Sequence, residues 1–133
     1  MASLMLGYLL DTHVLLWWLT NDRRLSTTAI EVIENRSNVV CVSAASAWEI
    51  ATKTRLGKLN GVPEAAEKFG ELSTEHGFTH LPITFRHGVL AGGLEAAHRD
   101  PFDRMLAAQS TIEALPLISR NHAFAEFDIE VVW

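Results

Sequence analysis

The alternation of short apolar runs with longer helical stretches constrains this chain most. Residues 6–10, 39–42 and 117–119 are too short and too uniformly apolar for amphipathic helices. They fit strands buried on both faces. The run Val39-Val40-Cys41-Val42 is the clearest of them, because β-branched side chains favour pleated backbone. Between the runs, residues 12–19, 26–35, 43–56, 63–76, 84–94 and 101–115 read as helices. Ser26 or Thr27 caps the second of these, and Gly57 and Gly77 stop the third and fourth. Residues 78–83 form a third strand that Pro82 pushes toward a sheet edge, and residues 130–133 close the chain as a last strand. Strands that alternate with helices imply a mainly parallel sheet covered on both faces.

Bulk properties narrow the setting. The 133 residues suit a single domain, 1–133, and 48% hydrophobic with 20% charged is ordinary globular composition. The lone Cys41 excludes an internal disulfide and reads as a small buried hydrophobe in a reducing compartment. The first basic residue is Arg23, and Asp11 and His13 interrupt the early apolar run, so no secretory signal is expected. No apolar stretch is long enough to span a membrane. The expected location is the cytoplasm, with no membrane partner. A net charge of −5 argues against coating nucleic acid by bulk electrostatics, and it suits carboxylates gathered around a cation.

In parallel sheets ligands bind beyond the carboxyl ends of the strands, so the polar residues just after each run matter most. Asp11 follows the first strand, Glu49 lies early in the helix after the second, Asp100 and Asp103 open the helix at 101, and Asn121 follows the strand at 117–119. Each has a bland alternative. Asp11 and Asp100 are good N-caps, and Asp103 suits a helix dipole. Ser46-Ala47-Trp48-Glu49 matches the S-x-x-E capping box; a helix starting at Ser43 would instead put Glu49 in the second turn. Separate caps do not explain why the acids recur at one edge. Converging carboxylates need a counter-charge. An all-oxygen set without Cys or paired His selects Mg²⁺ or Mn²⁺, which suits phosphodiester hydrolysis.

The segments "YLLDTHVLLWWL", "VSAASAWEIATKTRLGKL", "HRDPFDRMLAAQ" and "LPLISRNHAFAEFDIEVVW" occur in that order across essentially the whole chain. Together they resemble a PIN domain, and specifically a VapC-like toxin ribonuclease of a type II toxin–antitoxin pair. The resemblance implies a three-layer α/β/α fold with a mainly parallel central sheet and a Mg²⁺- or Mn²⁺-dependent endoribonuclease. It places the family's acids on Asp11, Glu49 and Asp103, with Ala107 four residues beyond the last. Asp100 belongs to the H-x-D-P-F-D variant and is either an added metal ligand or a cap. Many relatives carry an aspartate where this chain has Asn121, which keeps an oxygen ligand, loses the charge and weakens a second metal position. The resemblance also implies a homodimer, and a VapB-like antitoxin whose tail covers the active site.

Other residues near these motifs are read more simply. Thr12 and Ser43 follow strand ends and either cap helices or orient water or phosphate, and His13 and His98, which could act as general bases, are read as rim residues because metal-bound water needs none. Lys53, Arg55, Lys58, Arg99, Arg104 and Arg120 form either a local basic surround for RNA phosphates or solvated helix faces. Of Trp17, Trp18 and Trp48, at least two pack in the core, and an exposed one would mark a partner face. Two rivals stand. A receiver-like phosphoacceptor would need a lysine near its last strand, yet the lysines are at 53, 58 and 68. A catalytically degenerate PIN-like binding module is favoured only by Asn121.

Overall fold

The computed structural model describes the backbone of residues 6–59 and 65–133, and the side chains of 6–59 and 68–133. Five strands, β1 (Gly7–Leu10), β2 (Val39–Ser43), β3 (Thr79–Leu81), β4 (Leu117–Ile118) and β5 (Val131–Val132), form one sheet in the order β3-β2-β1-β4-β5. Every neighbouring pair is parallel, with Leu9 opposite both Cys41 and Leu117. Helices α1 (Thr12–Leu19), α2 (Thr27–Glu34), α3 (Ala44–Arg55), α4 (Ala65–Glu75), α5 (Phe85–Gly93) and α6 (Pro101–Glu113) connect the strands.

The apolar runs are continuous because both faces of the sheet are covered. Leu10, Val40, Val42 and Ile118 join the core on one face with Val14, Leu15, Ile50, Phe69 and Phe78. Their chain neighbours Leu9, Cys41 and Leu117 join the core on the other face, with Ala45, Leu106, Ala107, Phe124 and Phe127. Adjacent residues point to opposite faces, as the two-residue period of a strand requires. Each fully buried leucine contributes roughly 1.5–3 kcal/mol. Cys41 is buried, and that burial pushes its thiol up from the ordinary 9.0, as befits a packing residue.

Element limits follow local chemistry. Ser26 caps α2 by accepting from Ala29 N, and Gly57 and Gly77 adopt the left-handed φ values of 68° and 79° that end α3 and α4. The expected start of α4 at residue 63 lies outside the described residues. Strand β3 covers only three residues and sits at the sheet edge just before Pro82. Helix α6 stops at Glu113, short of the expected 115, because Pro116 disfavours helical backbone at the residue before it. A 3₁₀ helix at His122–Phe127 was not foreseen in the sequence.

The strand order matters for function. In a receiver-type sheet the order is 2-1-3-4-5, whereas here β1 lies between β2 and β4. That disposes of the phosphoacceptor rival on topology. It also puts the reversal of strand order, where such sheets bind ligands, between the ends of β1 and β4.

Candidate active site

Asp11 and Ser119 stand at that reversal. Asp11 is buried at 4% exposure, and its N–H donates to Ile118 O at 3.0 Å, tying the end of β1 to β4. It occupies the N-cap position of α1, and its carbonyl starts the helix, but its side chain makes no capping bond. Its Oδ2 accepts instead from Ser119 Oγ at 2.7 Å. Ser119 Oγ also accepts from Asn121 N at 3.0 Å, which fixes the hydroxyl toward Asp11. Burial pushes the Asp11 carboxyl above its ordinary 3.8, and the charge of Glu49 adds to the rise.

Glu49 lies in the second turn of α3. The helix begins at Ala44, and Ser43 caps it by accepting from Ala45 N. The capping box at Ser46 is therefore not made, and Ser46 Oγ bonds Thr12 Oγ1 at 2.8 Å. That buried bond locks α3 to the start of α1 and turns Glu49 toward the rim that holds Asp11. Glu49 is 3% exposed, with Lys53 Nζ donating to its Oε2 one turn on.

Asp103 is the third residue of α6 and is also buried. His98 Nε2 donates to its Oδ2 at 2.7 Å. Burial lifts its carboxyl from 3.8 to about 6, and the charges of Asp100, Asp11 and Glu49 push the same way. Burial is the largest cause, and the smaller contributions of Asp100, Asp11 and Glu49 put these carboxylates within electrostatic reach of Asp103. Asp11, Glu49 and Asp103 are all buried.

The two remaining acid-site candidates are used structurally. Asp100 caps α6, its Oδ1 accepting from Phe102 N at 2.9 Å and Asp103 N at 3.1 Å. Asn121 caps the 3₁₀ helix, its Oδ1 accepting from Ala123 N at 3.0 Å. Among the described residues no three carboxylate, imidazole or thiol groups stand ready-made in coordinating geometry. Each acid has a protein partner instead: Ser119, Lys53 or His98. The donor set still fits a hard divalent cation. Three buried carboxylates supply oxygen alone, and a cation would favour the charged forms of Asp11 and Asp103, which burial disfavours.

The basic residues divide. Arg104 does not face the rim: its guanidinium donates to the carbonyls of Ala91, Gly92, Leu94, Ala96 and His98, clamping the turn that carries His98. Sequence reading also passed over Ser119 and treated His98 as a mere rim residue. Trp17 and Trp18 are half-buried, while Trp48 is 54% exposed and packs edge-on against Phe102 at 4.5 Å, the two rings being the sequence neighbours of Glu49 and Asp103.

Solved structures share this fold along nearly the full chain. VapBC from Salmonella typhimurium bound to DNA superposes with a TM-score of 0.70 at 18% identity, over 96% of this chain and 98% of that one. VapBC2 from Rickettsia felis, bound to a promoter DNA fragment, gives 0.67 at 13% identity over 96% and 98%. VapBC-5 from Mycobacterium tuberculosis, a member of the VapBC family of toxin–antitoxin systems, gives 0.61 at 18% identity over 95% and 97%. A search of curated proteins found no match. The family model described as "PIN domain" matches residues 8–130, a span that includes Asp11, Glu49, Asp103 and Ser119, and the chain belongs to the PIN domain family.

Proposed function

We propose that this chain is a metal-dependent endoribonuclease of the VapC kind, the toxin of a type II toxin–antitoxin pair. The observation that carries the reading is the buried trio Asp11, Glu49 and Asp103 at the strand-order reversal, with Asp103 lifted to about 6 by burial and by its acidic neighbours. The VapBC structures that share the fold support the toxin assignment. The whole chain, 1–133, acts as one domain.

Asp11, Glu49 and Asp103 would hold Mg²⁺ or Mn²⁺. Bound there, the ion would polarise a phosphoryl oxygen and lower the pKa of a water. The chain's own task is to keep the three acids oriented. Ser119 holds Asp11, and His98 holds Asp103. Such outer partners fix ligand orientation. Lys53 neutralises Glu49 until a cation takes its place. Asp100 serves the site as the cap that fixes the start of α6, and Asn121 serves it by bonding Ser119 through its N–H.

That Glu49 already accepts a lysine ammonium supports a rim able to receive a basic side chain from an antitoxin tail. Phe85 and Val89, 91% and 64% exposed on α5, offer an apolar face for a homodimer. The toxin's proposed setting is the cytoplasm; no described helix is long and apolar enough to cross a membrane. The test is cleavage of a structured RNA with and without Mn²⁺. Activity lost in Asp11→Asn with no fall in melting temperature supports the enzyme. No cleavage under any divalent ion overturns it in favour of a binding module, and full cleavage by that variant overturns the assignment of the site to Asp11.

A further inference from the structure

Beside Asp11 lies a hollow of about 370 Å³ lined by Asp11, His13, Trp17, Arg24, Arg120 and Asn121. Its floor is aromatic. The Trp17 ring is half-buried, 6.0 Å from Trp133 and 6.0 Å from His13. Two guanidinium groups lie over that ring, Arg24 Cζ at 4.9 Å and Arg120 Cζ at 5.8 Å from its centroid.

The two arginines are not equivalent. Arg24 donates from Nε and Nη2 to the two oxygens of Asp22, at 3.0 and 2.8 Å, so its charge is matched where it stands. Among the described residues no carboxylate or carbonyl accepts a hydrogen bond from Arg120. Arg120 is exposed, and it directly follows Ser119, the donor to Asp11. The attraction between a cation and a tryptophan face draws the Arg120 guanidinium toward the ring without occupying its five N–H donors. An uncommitted guanidinium fork is built for an oxyanion with two adjacent oxygens. In a chain of net charge −5, bulk attraction does not bring an anion here. Local geometry does.

We propose that Trp17 and Arg120 form a phosphate subsite for single-stranded RNA, one that places the nucleotide adjoining the scissile bond on the Asp11 side. The proposal rests on the nuclease reading. In it Arg120 contacts the phosphate, Trp17 positions Arg120, and Arg24 stays on Asp22.

Binding and cleavage are measured separately. Binding is followed by anisotropy of a short fluorescein-labelled single-stranded RNA in EDTA across a salt series, and cleavage by steady-state kinetics with Mn²⁺. Arg120→Met weakens binding about tenfold or more and flattens the log–log salt slope by about 0.7, the value of one lost phosphate contact on a single strand. KM rises in parallel, while kcat changes far less. Arg24→Met has a much smaller effect on both. Arg120→Lys, with charge but no fork, recovers part of the loss. Trp17→Phe, which keeps a ring, weakens binding less than Trp17→Leu, with melting temperatures checked for each. A wild-type dissociation constant and salt slope in Arg120→Met overturn the proposal. So does an Arg120→Met chain that loses binding to hexaglutamate while its RNA curves are unchanged, because the hollow then takes a protein. RNA binding that depends on Arg120 in a chain that cleaves nothing under any divalent ion upholds the subsite and sinks the nuclease reading instead.

Discussion

Replacing Asp103 by Asn should stabilise the cation-free protein while abolishing cleavage. The folded chain holds the Asp103 carboxyl at about 6, chiefly through burial, against an ordinary 3.8. A group whose pKa rises on folding favours the folded state only while protonated. Below about pH 4 both states carry the proton, and the wild type has its full stability. From about pH 4 to 6 the unfolded chain ionises first, and stability falls as pH rises. Above about pH 6 the loss is complete. Roughly two pKa units at 1.36 kcal/mol each give a ceiling of roughly 3 kcal/mol. The new amide must find its own partners, which trims the gain to about 1–2 kcal/mol. At this chain length that raises the melting temperature by about 4–8 °C. Thermal melts in EDTA from pH 4 to 8 should show the variant's advantage absent at the acid end, growing to about pH 6 and level above it. Adding Mg²⁺ should raise the wild-type melting temperature more than the variant's. A variant less stable than wild type at neutral pH, or an advantage independent of pH, would refute the idea that crowded, buried charge burdens this rim.

Three further outcomes follow from single contacts. Ser119→Ala removes the donor that lowers the Asp11 pKa, so the acid limb of the pH–rate profile should move toward neutrality, with about a tenfold loss of kcat/KM. Arg104→Lys gives up the five-carbonyl clamp for a point charge; it should lose about 2 kcal/mol by chemical denaturation and speed hydrogen exchange across residues 91–98. Ala114 ends α6 with φ 53° and ψ 46°, so Ala114→Gly should raise the denaturation midpoint by roughly 0.5–1 kcal/mol of stability.

Much of this fold was legible because strand and helix periods are local. The bounds of α1 and the apolar heart of β2 follow directly from residue pattern, and Pro82 marks β3 as an edge strand. Asp11 stands out in the sequence because it directly follows a strand and Asp103 because it opens a helix, whereas Glu49 lies in the second turn of the helix after β2. Other features depend on neighbours far along the chain. Ser43 and Ser46 both offer caps for α3, and the choice is made by Thr12, 34 residues from Ser46, which bonds the second serine. The role of Ser119 requires β4 to lie beside β1, a fact of strand order that periodicity does not encode. Arg104 resembles a phosphate ligand beside Asp103, yet the turn at 91–98 bends back to present carbonyls to it. Asp100 reads as either a ligand or a cap and Asn121 as a weak oxygen ligand, and in the fold backbone N–H groups donate to Oδ1 of each.

A crystal of the protein soaked in Mn²⁺, with anomalous scattering recorded, would locate the cation directly. One Mn²⁺ peak within bonding distance of carboxylate oxygens of Asp11, Glu49 and Asp103, with Lys53 displaced from Glu49, is the predicted result. Saturating Mn²⁺ that leaves the Lys53–Glu49 pair intact and gives no peak among the three acids would contradict it.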